Sequence, residues 1–261
     1  GRGRRRVRGR LTRMRAPDWL TARPVAHRGL HDISRGIVEN MPGAVQAAIA
    51  GNFSIEVDIQ LSADGEAMVH HDHALGRLTE ATGEVVERTA AELKAIKFKD
   101  TPEQMMSLSD LCALVAGRVP LVIEVKSHFG GDRKLVKRMA EVLESYDGPA
   151  VGMSFDPDQV LALRELLPSR PRGIVAQRTY EDDYWAKLSQ EQRDSMLYLR
   201  HGFQTQPHFV AFRVDDLPAP APWIARNLFG CALLGWTVRT PEQRTQVGQH
   251  ADQMIFEGFA P

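Results

Sequence analysis

The chain has 261 residues, 43% hydrophobic and 25% charged, with 15 prolines scattered among periodic segments; this size and balance suit one large α/β domain and exclude a wholly disordered chain. Its formal charge of zero hides an asymmetry: residues 1 to 15 hold eight arginines and no acid, which leaves 25 basic against 33 acidic groups in the body, a net of −8. An acidic body excludes the broad basic face that tracks a phosphate backbone, so no nucleic-acid partner is expected for it. The arginine-rich lead-in lies in a segment 1–20 ahead of the folded body at 21–261. It reads as a solvated, flexible tail, with contact to anionic membrane lipid or RNA as the functional alternative. No run of about 18 apolar residues occurs, so the chain as given is not expected to span a membrane. It opens on Gly1, which leaves a removed leader or anchor open, and a cytoplasmic location is the default expectation. Cys112 and Cys231 sit in apolar runs and read as buried thiols that do not define a compartment.

Short apolar runs alternate with longer helical patterns, which predicts a parallel sheet with crossover helices. Strands are expected at about 24–28, 54–60, 120–126, 150–155, 172–177, 208–213, 232–238 and 253–257, eight in all. Helices fall between them, as at 42–50 after Met41-Pro42 and 156–167 after Asp156-Pro157, where proline suits a first turn. Eight alternating units in a chain of this length predict a (β/α)₈ TIM barrel. One run stands apart from the barrel. IEVDIQLSADGEAMVHHD carries Asp64-Gly65 between two alternating segments, a strong hairpin signal, so residues 66–72 should fold back on the second strand. With those two as the turn residues, Ala63 pairs with Glu66 and His71 falls opposite Asp58. Residues 73–107, punctuated by Gly76, Gly83 and Pro102, form so lengthy a connection that a small inserted subdomain over the barrel mouth is expected.

Catalytic groups of such a barrel come from the C-terminal ends of its strands. The first strand ends in His27-Arg28-Gly29, followed by Glu39-Asn40. The second carries Glu56 and Asp58, which a period of two places on one face, and the third barrel strand ends in Glu124-Val125-Lys126. Charge inside an apolar strand is costly unless paired or bound to metal, so three carboxylates with a lysine suggest a metal site beside a phosphate clamp. Oxygen-only ligands from Glu56, Asp58 and Glu124 favour a hard ion, Mg²⁺ or Ca²⁺, over Zn²⁺. His27 and His71 flanking that site suit general acid–base chemistry near neutrality, whereas His70 should face away. His31, His73, His128, His201 and His208 are expected to be structural or rim residues.

At this point the residues resemble a family. VAHRG, Glu39-Asn40, the hairpin run with the following Leu75, Arg77 and Thr79, then LVIEVK, MSF, GWTVR and the closing ADQMIFEG are similar, in order, to the signature of glycerophosphodiester phosphodiesterases. The resemblance spans about residues 24 to 259. It implies a barrel with a bound divalent cation and two catalytic histidines, and attack by the substrate's neighbouring hydroxyl through a cyclic phosphate, ending in glycerol 3-phosphate and an alcohol. It makes His27 and His71 the acid–base pair, Glu56, Asp58 and Glu124 the metal ligands, and Arg28 and Lys126 phosphate contacts. Glu39 and Asn40 shape the surrounding network, and Trp236 walls the glycerol pocket. Met41, Arg239 and Glu257 depart from the residues usual in the family, at threonine, asparagine and aspartate positions respectively. Two other readings stay open. One is a lysophospholipase D-type hydrolase using an apolar groove near Phe129, Tyr180, Tyr184, Trp185 and Phe203; the other is a protein that binds a small phosphodiester without cleaving it.

Overall fold

A computed structural model describes residues 15–261. Nine strands form one sheet: β1 (Val25–Ala26), β2 (Ser54–Leu61), β3 (Ala67–Val69), β4 (Leu121–Val125), β5 (Ala150–Ser154), β6 (Arg172–Ala176), β7 (Phe209–Arg213), β8 (Ala232–Val238) and β9 (Gln253–Phe256). All except β3 are parallel to their neighbours, and β1 pairs with both β2 and β9, which closes eight strands into a barrel. The crossovers carry helices α1 (Pro42–Ala50), α2 (Ala90–Ala95), α3 (Leu108–Val115), α4 (Lys134–Glu144), α5 (Pro157–Leu166), α6 (Gln190–Leu197), α7 (Gly202–Thr205), α8 (Pro220–Asn227) and α9 (Pro241–His250). The expected (β/α)₈ architecture is therefore present.

Each strand's two-residue period sorts its side chains. Outward residues such as Ile55, Val57, Ile59, Ile123 and Val125 join helix residues in one large apolar layer. Inward residues near the strand starts, among them Val25, Val122, Val151, Phe209, Leu234 and Ile255, fill the barrel's lower interior. The same inward phase reaches His27, Glu124, Trp236 and Glu257 two residues on, and Arg213 four residues on. Apolar below and polar above on one phase is the rule that positions the site. Leu20, wholly buried in a short 3₁₀ turn at Asp18–Leu20, joins the interior cluster. The folded body thus begins ahead of residue 21; the rest of the expected flexible segment, residues 1–14, lies outside the described residues.

The hairpin register differs from expectation. Ile59 pairs with Val69, Gln60 with Met68 and Leu61 with Ala67, so His70, not His71, falls opposite Asp58. The loop has three residues, Ala63, Asp64 and Gly65, with Gly65 in the left-handed region at φ 86°, the geometry of a turn closed by a glycine bulge. One local and one distant contact hold it: Asp64 Oδ1 accepts from Ser62 Oγ at 2.6 Å and from the Ala90 amide at 2.9 Å.

Residues 73–107 build a small apolar cluster of their own from Leu75, Val85, Leu93, Phe98 and Met105, packed against Val38, Met41 and Met68. They sit beside the β1 and β2 ends. Among the described residues none of this segment lines the cavity, but its first residue, His73, stacks on His128 and Tyr184 of the loops after β4 and β6, so the segment stands at the barrel's C-terminal end beside the mouth.

Two histidines make the fold acid-sensitive. Burial lowers both His201 and His208 to about 4, and neither ring nitrogen of His201 has a partner. From an unfolded value of about 6.5 downward, the unfolded chain binds protons that the native state refuses, so stability falls with pH across that window. Denaturant midpoints should drop between neutrality and the folded-state value; a midpoint that rose towards acid would contradict the burial.

Candidate active site

A cavity of about 260 Å³ opens at the C-terminal end of the barrel, with Met153, Val175 and Ile255 among its apolar lining residues. Its polar walls are His27, Arg28, Glu56, His71, Glu124, Lys126, Arg213, Asp215 and Arg239, with Trp236 and Phe155 on one side. Nearly all the sequence-predicted residues converge here. Glu39 and Asn40 lie just behind the wall.

Parallel pairing of β2 with β4 sets Asp58 beside Glu124, and one ligand oxygen each from Glu56, Asp58 and Glu124 lies within 4.8 Å of the others. All three residues are buried. Burial, then the neighbouring Asp58 and Glu124 charges, push Glu56 well above the usual carboxylate range. Asp58, against the same burial, is held well below it by the Lys126 ammonium. Lys126 Nζ stands 2.9 Å from Asp58 and 2.7 Å from Glu124. Around this cluster Glu39, Glu56, Asp58, Asp72, Glu124 and Glu257 face Arg28, Arg77, Lys126 and Arg239, six acids against four bases, a net of −2. The donor set fits a hard divalent cation: three buried carboxylates, one of which would otherwise keep a proton.

Backbone geometry aims the remaining groups. Arg28 and Asn40 are both left-handed, at φ 55° and 60°, and the Asn40 amide donates to the Arg28 carbonyl. Arg28 in turn gives its amide to Glu56 at 2.9 Å and its guanidinium to Glu39 at 2.8 Å, while Asn40 Nδ2 donates to Asp58 at 3.0 Å. Strained non-glycine residues of this kind collect at functional sites. Gly29 follows at φ 79°, and a Cβ there would meet Ala44 at 2.8 Å. Gly29→Ala should therefore lower unfolding free energy by at least about 1–3 kcal/mol, measured by urea titration.

Both candidate histidines are oriented by a carboxylate that an arginine braces. His27 Nδ1 lies 2.5 Å from Glu257, which Arg239 holds at 3.0 Å. His71 Nδ1 lies 2.7 Å from Asp72, which Arg77 holds at 2.5 Å while also reaching Glu39. A carboxylate only accepts, so Nδ1 carries the proton in each ring and Nε2 is left for chemistry. Burial keeps His27 neutral, down to about 4. Against burial, the bond from His27, with the His31 ring 3.7 Å away, holds Glu257 well below its ordinary value. His27, His31 and Glu257 also lie close enough to suggest a second metal group, but the Nδ1 proton and Arg239 already satisfy that carboxylate. His71 reaches the cavity because β3 ends at Val69 and the main chain wraps Gln60, whose amide donates to the His70, His71 and Asp72 carbonyls. His70 is buried outside the cavity, edge-on to Phe98.

A model of the glycerophosphoryl diester phosphodiesterase family matches residues 27–256. The chain belongs to this family. It is 30% identical over 165 residues to a glycerophosphodiester phosphodiesterase of Caldanaerobacter subterraneus, spanning 59% of this chain and 66%, just under two thirds, of that enzyme. To human glycerophosphodiester phosphodiesterase 1 it is 24% identical, over 87% of this chain and 74% of that one. A phosphodiesterase of Oleispira antarctica, solved in complex with the product sn-glycerol-3-phosphate, superposes with a TM-score of 0.72 at 19% identity, covering 89% of this chain and 91% of that one. An Agrobacterium tumefaciens structure described as a putative glycerophosphoryl diester phosphodiesterase gives 0.72 at 23%, covering 90% and 92%.

Within this family site, sequence reading overlooked Asp72, Arg213 and Asp215. It noted Arg77, Arg239 and Glu257 only as signature positions, without their bracing role. Asp72 adjoins His71 and was within reach; the His27–Glu257 contact joins residues 230 apart and carries no local signal. The aromatic groove is also revised. Tyr180 and Trp185 are buried against each other and Phe155, leaving Tyr184 half-exposed. Phe203 precedes β7 and so lies at the opposite end of the barrel.

Proposed function

We propose that this protein hydrolyses soluble glycerophosphodiesters to sn-glycerol 3-phosphate and an alcohol, with a divalent cation and two histidines. The observation that carries this reading is the pair of carboxylate-oriented imidazoles in one cavity with three clustered carboxylates. Glu56, Asp58 and Glu124 would hold the cation, Mg²⁺ or Ca²⁺, which withdraws negative charge from the phosphoryl oxygens. Arg28 and Lys126 contribute positive charge to the same oxygens. His27, neutral through burial, accepts the proton of the substrate's neighbouring hydroxyl as its oxygen attacks phosphorus. Protonated His71 donates to the departing alkoxide as the other P–O bond breaks, leaving a cyclic phosphate. Water then opens that ring with the two proton roles exchanged, which restores both histidines. Trp236, fixed by its Nε1 bond to the Ala211 carbonyl at 3.0 Å, offers a flat wall to the glycerol carbons.

The cavity, about 260 Å³, is smaller than the roughly 300–1,000 Å³ of sites for drug-sized ligands, and the nearby aromatics pack on one another. Both points favour a small headgroup over an acyl chain, hence a glycerophosphodiesterase over a lysophospholipase D. Two imidazoles oriented for proton transfer disfavour a mere binder. A panel of glycerophosphodiesters and lysophospholipids, read by enzymatic detection of glycerol 3-phosphate, tests the proposal. Release from the soluble diesters is expected; no release from any of them, or turnover confined to acylated substrates, would overturn it.

A further inference from the structure

Because β3 stops at Val69, the turn that carries His71 into the cavity has no strand ladder to receive its carbonyls. Gln60 takes the place of that ladder. Its Nε2 donates to the His70 carbonyl at 3.3 Å, to the His71 carbonyl at 2.9 Å and to the carbonyl of Asp72. One amide therefore fixes the main chain of both the candidate proton donor and the carboxylate that orients it. Gln60 is 4% exposed, so its Oε1, at the other corner of the same amide, needs a donor of its own. Left unpaired, a buried oxygen is costly, and the side chain relieves that cost only by swinging away and dropping the turn.

His73 supplies the donor. Its Nδ1 stands 2.8 Å from Gln60 Oε1, and an amide oxygen only accepts, so Nδ1 carries the proton. The other ring nitrogen, Nε2, faces the Tyr184 hydroxyl at 3.5 Å. Stacking holds the ring in place: the His128 ring lies 4.1 Å away with 28° between planes, and the Tyr184 ring 6.0 Å away with 9°. His128 follows β4 and Tyr184 follows β6, so three loops of the C-terminal end meet at one imidazole. Burial, then His128 and Lys126, lower His73 to about 4, which leaves a neutral ring with a single proton to place. The cavity's walls include His71 but not His73. We infer that His73 is a positioning residue for proton transfer, whose Nδ1–H locks the Gln60 amide and through it sets the His71–Asp72 turn. This rests on the reading of His71 as the proton donor.

The test is steady-state kinetics on a soluble glycerophosphodiester, alongside ¹⁵N spectra of histidine-labelled protein at alkaline pH. His73→Phe keeps a ring for the stack and removes the donor. Its kcat should fall about tenfold to a hundredfold, the scale on which a misplacement of about 1 Å costs rate, with KM little changed. His73→Asn gives up the ring but brings an amide N–H close to where Nδ1 stood, and should retain most of the turnover. Since the effect passes through His71, His73→Phe should cost nothing further in a His71→Ala background. In the wild-type spectrum His71 and His73 should both carry the proton on Nδ1, and His73→Phe should leave His71 in a mixture of tautomers while His27 keeps its own. Wild-type turnover in His73→Phe, or His73→Asn as impaired as His73→Phe, would overturn the inference, because the ring and not its proton would then be what matters. An unchanged His71 signal in His73→Phe would overturn it as well, even if the wild type released no glycerol 3-phosphate, a result that by itself counts against the proposed function alone. Should His73→Phe fail to fold, the wild-type spectrum decides: a His73 proton on Nε2 overturns the inference.

Discussion

Removing divalent cations should abolish turnover, and adding Mg²⁺ or Ca²⁺ back should restore it. Glu56, Asp58 and Glu124 bring three carboxylates within one ion's reach where a phosphodiester, itself an anion, must bind. Lys126 and Arg28 offset part of this charge, yet the connected network retains a net of −2 and Glu56 is pushed towards its protonated form. A divalent cation cancels that excess and lets all three acids ionise. Binding should also register without catalysis: a cation at a hundred times its Kd stabilises the native state by about 2.7 kcal/mol, visible as a rise in Tm that EDTA reverses. Glu56→Gln should diminish both the Tm rise and the restored activity. Full turnover in rigorously stripped protein would show that the carboxylates serve another purpose.

Much of this site was legible because the barrel obeys a period of two. Glu56 and Asp58 on one phase, Glu124 and Lys126 on another, and His27 at a strand end follow from counting residues. What escaped was decided by contacts distant in sequence. Asp64-Gly65 suits either a two-residue or a three-residue hairpin loop, and the choice rests on an Ala90 amide 26 positions away that captures the Asp64 carboxylate. Glu257, a departure from the family's usual aspartate, owes its role to the far end of the chain closing on β1. The inserted segment's length was plain, but only its apolar cluster with Val38 and Met41 decides that it flanks the mouth. Phe203 was assigned to the wrong end because α6 carries the chain back from the β6 end before it reaches Phe203, which sits within the four-residue α7.

His71→Ala should lower kcat by about 10² to 10⁴, the range for losing a positioned general acid or base, while His70→Ala should lose stability and leave turnover near normal. The hairpin register alone would argue the reverse, since it sets His70 opposite Asp58. But β3 stops at Val69, and the following turn, wrapped on the Gln60 amide, carries the His71 ring into the cavity and His70 against Phe98. His70 is 2% exposed with Nε2 unpartnered, so truncation opens a cavity and costs on the order of 1–3 kcal/mol. Asp72→Asn separates ring from orientation: the imidazole stays, but an amide at that position no longer demands a proton on Nδ1. The expected signature is a fall in kcat with KM little changed and a displaced alkaline limb of the pH–rate profile, where the proton donor is lost, which simple loss of folded protein would not produce. If His71→Ala kept near-normal turnover while His70→Ala lost it, the proton donor would belong to the residue paired with Asp58, and the wrapped turn would be no more than a way of ending a strand.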